Sequence, residues 1–418
     1  MAFGPFEVFG GDDFNKKNFL RFLGMLLPCV VVTGFLLILI WKDHHSAGGE
    51  PFSLFDGISI WPAELLRLLA IFLGFFFFLK AMQDLKANED ELTKHFQLDD
   101  KTDVSFQPTA ARDRLQQQLQ SCTRTGSRWQ RALGKLHQAW RRRSALRLCA
   151  WKGNEKSVNA QCLWSDYLLL GESSSRWWRF LPSALLMVTF GFLLMLIFDY
   201  PFRPHRGPVS SAMDLIADML SVGILILITF FVVDATLLCR QFIKNLSESP
   251  TQWPKPLLDV HEDRLTLPRA NLDEWLDMEL IAERTKTVGH LIYYPFLGLL
   301  AIILARNNYF DHFGWPIPAI IFFGVNSGYT IYCAIILRKA AEEARQAELR
   351  RLNEKRIAAL GKNDKKSADQ IQLLLEEIRS NDEGAFAPLT RHPIIGAILM
   401  PFGGIGALGL LEYFSMPH

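Results

Sequence analysis

Ionisable residues inside apolar stretches are the first candidates for chemistry in this chain of 418 residues. Glu64 and Arg67 lie three residues apart in one such stretch, and Asp218 and Asp234 lie in another. A charged side chain is costly in a bilayer, so it commonly faces a partner, a cavity or an ion pathway. Glu64 and Arg67 share a helical face, which predicts either an ion pair that helps the helix dock or a coupling residue.

Asp218 and Asp234 are separated by sixteen residues, which places them on nearly opposite faces of a helix. We therefore do not expect them to line one pathway. For Asp234 the sequence leaves two interpretations open. One is an ion pair with a basic group at the membrane boundary, where Arg240 is close by, and the other is a proton or ion site.

A track of carboxylate, hydroxyl and imidazole groups precedes a later apolar stretch. Glu279, Glu283, Thr287, His290 and Tyr294 recur at a mostly four-residue step and so share one face of a helix. Such a track suits proton relay or metal binding, but helices that bind metals through carboxylates use Glu-x-x-His, and no Glu stands three residues before His290. A satisfied interhelical face is the simpler interpretation. Glu283 and His290 are the pair that an enzyme acting on lipid would need.

A polar centre interrupts the apolar stretch at 317–337. Asn326 lies between Gly324 and Gly328, which form a GxxxG pattern that lets a neighbouring helix backbone approach closely. Asn326 predicts either interhelical hydrogen bonding or the lining of a pore or substrate pocket. The sequence leaves open whether the two glycines pack within one chain or between chains.

Motifs of the common enzyme and nucleotide-binding classes are not found in the sequence. It contains no P-loop lysine, nucleophile elbow, HExxH motif, kinase signature or DNA-binding motif. Six cysteines without a CxxC pair argue against a zinc site and against a disulfide framework. We therefore predict no catalytic residue, no cofactor and no metal site.

The elements that must position these residues are membrane-spanning helices. Hydrophobic residues make up 50% of the chain and are clustered rather than spread, which is typical of a multi-pass membrane protein. A bilayer core of about 30 Å requires roughly 20 apolar residues in a helix. The sequence predicts an all-α polytopic bundle of six spans, with a seventh span or re-entrant segment broken by Pro and Gly at 393–418. The six spans are predicted at 22–41, 58–79, 180–198, 215–238, 288–305 and 317–337.

The polar segments between these spans predict helical mass on the cytoplasmic side. Residues 80–179 carry 18 Lys and Arg against 11 Asp and Glu, and positively charged loops are retained in the cytoplasm. Residues 239–287 and 338–392 are assigned to the same side, the latter as a helical arm in which Glu348 and Arg351 pair on the helix surface. The chain is expected in a bacterial inner membrane with a cytoplasmic amino terminus. The transmembrane hairpins are assigned to 1–79, 180–238 and 288–337.

Two capping boxes are predicted to begin helices in the polar segments. Asn271 with Glu274 forms an imperfect box, and the helix that follows is expected to continue unbroken into the span at 288–305. Ser367 with Gln370 forms the second box, ahead of an apolar stripe.

A basic amphipathic helix is predicted within residues 80–179. Beside a membrane, such a helix is drawn to anionic lipid, whereas the alternative is a solvated helix packed on its neighbours. A nucleic-acid surface is disfavoured because no recognition motif accompanies the charge. The basic residues of this surface are Arg124, Arg128, Arg131, Lys135, Arg141, Arg142, Arg143 and Arg147.

These patterns favour a non-enzymatic signalling, scaffold or effector protein that receives a cytoplasmic input. Its expected partners are the lipid bilayer, anionic lipid and a cytoplasmic protein. The sequence leaves open whether the protein forms a homo-oligomer. One alternative is a channel or transporter with a polar midplane site around Asn326. A second is a membrane-embedded enzyme that acts on lipid.

Overall fold

The fold is helical throughout the part of the chain that the computed structural model describes, apart from one pair of two-residue strands. Predictions for the span at 22–41, for the basic surface at 124–147 and for most of the segment 393–418 lie outside the described residues, as does the side chain of Glu64. The described residues are 60–96, 98, 158–171, 173–198, 208–265, 271–305, 317–388 and 395–397.

Nine α-helices follow one another in this described part. A 3-10 turn, Gly384–Phe386, follows the last helix. Strands β1 (Val158–Asn159) and β2 (Thr251–Gln252) pair in parallel, with Val158 opposite Thr251. The helices are α1 Ile60–His95, α2 Ala160–Gly171, α3 Ser173–Ile197, α4 Pro208–Glu248, α5 Lys255–Leu265, α6 Leu272–His290, α7 Tyr293–Ala305, α8 Ile317–Gly361 and α9 Lys365–Ser380.

Four helical segments among the described residues are long and apolar enough to cross a membrane. They belong to α1, α4, the pair α6 and α7, and α8, while α3 contributes the shorter apolar stretch Leu181–Ile197. These lengths support an all-helical protein of the integral membrane class. The count of six spans plus a seventh stays a prediction.

The span-length helices are longer than a bilayer requires. Helix α8 has 45 residues and so extends about 67 Å at 1.5 Å per residue, of which its apolar part, 317–337, takes less than half. Helices α1 and α4, with 36 and 41 residues, likewise continue past their apolar parts. We call the polar portion of the molecule the helical body. It comprises residues 80–96, 158–171, 239–265, 271–290 and 338–388.

The hydrophobic core is divided along the long helices. The largest cluster of buried side chains belongs mainly to the helical body and includes Trp164, Leu246 and Leu374. Smaller clusters join the apolar parts, for example through Phe230 and Phe322. Large apolar side chains on α3 stay exposed, Leu186 at 72% among them, as expected for a surface that faces lipid.

The helix predicted to run unbroken into the span at 288–305 is interrupted between α6 and α7, at Leu291 and Ile292. Pro295 explains the interruption. It has no backbone N–H to donate, and its ring clashes with the carbonyl four residues earlier, which is that of Leu291. The prediction of one continuous helix was therefore wrong, although α6 and α7 together still have the length of a span.

Neither predicted capping box forms. Asn271 is the N-cap residue of α6, but its side chain makes no capping hydrogen bond. Asp364, not Ser367, caps α9, since its carboxylate accepts a hydrogen bond from the Ser367 backbone N–H at 3.1 Å and another from the Ser367 hydroxyl at 2.6 Å. A carboxylate at this position satisfies a free amide of the first helical turn. The sequence pattern therefore placed the start of α9 too late.

Candidate functional site

The candidate functional site is built around Arg284, a fully buried side chain at 0% exposure. Leu280, Arg284 and Val288 recur every four residues on the buried face of α6, so the arginine occupies a position where the helix otherwise presents apolar groups. A buried charge is costly unless it is paired and hydrogen-bonded. The surroundings of Arg284 must therefore supply acceptors, and they do.

Every nitrogen of the Arg284 guanidinium group donates a hydrogen bond. Nη1 donates to Oδ1 of Asn88 at 2.6 Å, and Nη2 donates to Oε1 of Glu89 at 2.7 Å. Nε and Nη2 both donate to the hydroxyl of Tyr167, at 2.9 and 2.7 Å. Helices α1, α2 and α6 thus meet at one cation. Hydrogen bonds of this kind, with a charged donor, are stronger than neutral ones.

A second buried arginine shares the same carboxylate. Nη2 of Arg176, on α3, lies 3.3 Å from Oε1 of Glu89, and its guanidinium carbon lies 5.3 Å from the centre of the Phe231 ring. Burial lowers the pKa of Arg176, and the negative charge of Glu89 opposes that shift. One carboxylate therefore compensates two buried cations and links α3 to the same centre.

Aromatic rings form one wall of this centre. Trp164 and Tyr167 stack with ring centroids 5.2 Å apart, and the Arg284 guanidinium carbon lies 5.8 and 5.1 Å from the two ring centres. Burial raises the pKa of Tyr167, against the opposing charge of Arg284. The phenol stays neutral at physiological pH and serves as an acceptor. We call Asn88, Glu89, Tyr167, Arg176 and Arg284 the arginine centre.

A further ion pair lies where the apolar part of α4 ends. Arg179 of α3 donates two hydrogen bonds to Asp234, Nε to Oδ1 and Nη2 to Oδ2, both at 2.7 Å. The partner of Asp234 is therefore Arg179, whereas the nearby Arg240 is exposed. This bidentate ion pair holds α3 against α4 at the boundary of the helical body.

Glu283 and His290, the pair considered for lipid chemistry, have separate neighbours. Oε1 of Glu283 lies 3.8 Å from Nζ of Lys286, and the exposed imidazole of His290 lies 6.1 Å from the ring of Tyr293. In the residues that the structure describes, no three His, Cys, Asp or Glu side chains come together in a way that could hold a metal ion.

Asn326 connects two of the span-length helices. Its Nδ2 donates a hydrogen bond to Oγ1 of Thr229 at 2.9 Å, and both side chains are buried between α8 and α4. Gly324 and Gly328 are exposed, and a Cβ added to either would have no atom within 4 Å. In the described part of the chain, then, the GxxxG face does not pack against another helix.

Arg67 and Asp218 lie at the opposite end of the apolar parts. Although they belong to different helices, both line one mostly apolar cavity of about 100 Å³. The Arg67 side chain is buried. The structure thus places two residues from separate predicted spans at one cavity.

Sequence reasoning missed the arginine centre. It selected Glu283 for its place in a polar track and passed over the adjacent Arg284. The available signal was the four-residue spacing that puts Arg284 in register with Leu280 and Val288 on an apolar face. Its partner Glu89 is 195 positions away along the chain, and no local pattern connects the two.

The arginine centre is suited to holding helices together rather than to catalysis, because each nitrogen of the Arg284 guanidinium group already donates to another helix of the protein. Comparison with known proteins adds no assignment: no protein-family model, no curated protein and no solved structure matches the chain.

Proposed function

We propose that this protein is a non-enzymatic membrane component of the signalling, scaffold or effector kind, which passes a cytoplasmic input from the helical body to the bilayer. The observation that carries this proposal is the arginine centre. It ties α6, α2 and α3 to α1, and α1 continues without interruption into its apolar part. A displacement of the helical body therefore reaches the membrane through a rigid helix.

We assign the helical body to the cytoplasm of a bacterial cell, with the protein in the inner membrane and the amino terminus on the cytoplasmic side. Basic residues that follow the apolar parts of three helices support this orientation, because positive charge is retained on that side. They are Lys80 of α1, Arg240 of α4 and Arg338 of α8. Anionic lipid and a cytoplasmic protein are the partners we propose, and the exposed GxxxG face leaves room for a second copy of the chain.

Hydrogen exchange in lipid nanodiscs tests the proposal. Glu89→Gln removes the shared negative charge of the arginine centre. We expect faster exchange next to the substitution and also in the apolar part of α1, residues 60–79. Lys86→Met, at an exposed position of the same helix, is the matched control. Exchange that changes only within one helical turn of residue 89 would refute transmission along α1.

The channel or transporter alternative has one supporting observation. Oδ1 of Asn326 is buried and has no hydrogen-bond partner among the described residues, so this amide has a free acceptor between two span-length helices. Asn326→Leu should abolish solute flux into liposomes while the protein still folds. Unchanged flux through the variant would remove Asn326 from any transport mechanism.

A further inference from the structure

A second polar site lies in the helical body, between α6, the middle of the polar part of α8 and the segment that follows α4. The structure contains here a cavity of about 300 Å³, which is at the lower end of the range for small-molecule sites. Glu348 lies eleven residues beyond Leu337, about 16 Å along the helix axis, and so outside the apolar part of α8. Five carboxylic acids line the cavity: Asp273, Glu274, Asp277, Glu348 and Glu354.

Three of these acids are buried. Asp277 and Glu348 are each 1% exposed, and Glu274 is 6% exposed. The sequence predicted a surface position for Glu348, which is wrong because the face of α8 that carries Ala344, Glu348 and Leu352 is buried. Asp277 accepts a hydrogen bond from Nε1 of Trp253 at 2.9 Å.

Two cations of the lining compensate only part of this charge. Nζ of Lys355 lies 2.6 Å from Oε1 of Glu274, and Nη1 of Arg351 lies 2.5 Å from Oε1 of Glu348. Arg351 is also committed elsewhere, since its Nη2 donates to the Ser247 carbonyl at 2.6 Å. Acids thus outnumber cations in the lining. Burial raises the pKa of Asp277 and that of Glu348, the latter to about 7, so a bound cation would favour the ionised form of these two acids.

The second oxygens of two carboxylates are left for a ligand. Oε2 of Glu274 and Oε2 of Glu348 are buried and have no hydrogen-bond partner among the residues that the structure describes, and both residues line the cavity. A carboxylate oxygen accepts hydrogen bonds and donates none. The complement of these two oxygens is therefore a cation that carries N–H groups.

A divalent metal ion fits this cavity less well than an organic cation does. Hard cations such as Ca²⁺ take six to eight oxygen ligands that converge on one point, and the described residues hold no metal-binding cluster of three acidic, His or Cys side chains. An alkylammonium or guanidinium group needs only the two free acceptors and a negative surrounding.

We propose that this cavity, the acidic pocket, binds a small organic cation with primary ammonium or guanidinium groups, whose N–H groups donate to Oε2 of Glu274 and Oε2 of Glu348. This site goes beyond the proposed signalling function and does not depend on it, because binding is measurable on the purified protein whatever the protein does.

Isothermal titration calorimetry on the full chain in phosphatidylcholine nanodiscs tests the pocket. These lipids carry no net charge, so amines are not retained by the membrane. The probes are putrescine and agmatine, with 1,4-butanediol as the uncharged analogue and MgCl₂ and CaCl₂ as metal probes. We expect one amine to bind per chain, and no heat from butanediol.

Two substitutions with opposite expected effects on amine affinity test the assignment of the two carboxylate oxygens. Glu348→Gln should weaken amine binding at least tenfold, whereas Lys355→Met removes the cation that competes for Glu274 and should strengthen binding several-fold. Glu343→Gln, at an exposed position of the same helix, should leave the affinity unchanged. If Glu348→Gln fails to fold, the Lys355→Met variant still decides the matter.

Three results would overturn the assignment. The first is the absence of binding by both amines, and the second is equal binding by butanediol. The third is binding of Mg²⁺ or Ca²⁺ that displaces the amine at equal stoichiometry, which would make the pocket a metal site.

Discussion

Removal of the charge on Glu89 is the sharpest test of the arginine centre. Glu89→Gln keeps the shape of the side chain but leaves Arg284 buried without a counter-charge. It also removes the largest compensating charge of Arg176, on which only the charge of Asp234 then still acts. Breaking a buried ion pair by removal of one partner costs about 3 to 5 kcal/mol of unfolding free energy. The side chain of Glu89 is 14% exposed, so we expect the lower end of that range. Two arginines lose their partner at once, which keeps the cost well above that of a surface pair.

A neutral substitution at the neighbouring position separates charge from hydrogen bonding. Asn88→Ala removes one acceptor of Arg284 without changing the charge, so it should cost about 1 to 3 kcal/mol. Unfolding is measured in mixed micelles by titration with SDS, followed by tryptophan fluorescence. If Glu89→Gln costs no more than Asn88→Ala, the charge of Glu89 is not what compensates the two arginines.

The double variant completes the test. Glu89 and Arg284 are in direct contact, so the effects of Glu89→Gln and Arg284→Met should not add, and the difference should be about 0.5 to 3 kcal/mol. The double variant should unfold more easily than the wild type but less easily than the sum of the single effects implies. Strict additivity would mean that the contact contributes no interaction energy.

Two further predictions concern the contacts of α6. Tyr167→Phe removes an acceptor of Arg284 and should cost about 1 to 3 kcal/mol of unfolding free energy. Because burial raises the pKa of Tyr167, the stability of the wild type should also fall as pH rises above the ordinary tyrosine pKa of about 10. In SDS titrations at pH 9 to 11, the stability of the variant should therefore change less with pH than that of the wild type. Gly384→Ala should release the 3-10 turn from α6, because Gly384 has a φ of 57° and an added Cβ would lie 2.2 Å from the Ala282 carbonyl oxygen. Gly361→Ala, where nothing lies within 4 Å, should leave hydrogen exchange of residues 383–387 unchanged, and equal exchange in the two variants would contradict this reasoning.

The class of the protein was readable from the sequence, because long apolar runs have few structural solutions. The interruption between α6 and α7 was readable too, since Pro295 affects the carbonyl four residues before it, but the polar track through Thr287 and Tyr294 suggested continuity.

The arginine centre and the acidic pocket were not readable in the same way. Glu89 and Arg284 lie 195 positions apart, and Glu274 and Lys355 lie 81 positions apart in sequence. Periodicity reports which face of a helix is buried, and it does not report which helix covers that face. Glu348 shows the limit, because its pairing with Arg351 was expected but its burial depends on how α8 packs.

The arginine centre determines the relative positions of helices more than it determines stability. Buried ion pairs are weak contributors to stability, since well-packed apolar residues often replace them without loss. Their geometry, in contrast, is restrictive. A slide of α1 by one helical turn, about 5.4 Å, would separate Glu89 from Arg284 and Arg176 together. Helices α1, α3 and α6 must therefore move as one unit, and the pairing of Arg179 with Asp234 extends that unit to α4. Under the proposed function, an input that shifts the helical body would therefore displace the apolar parts of α1 and α4 with it.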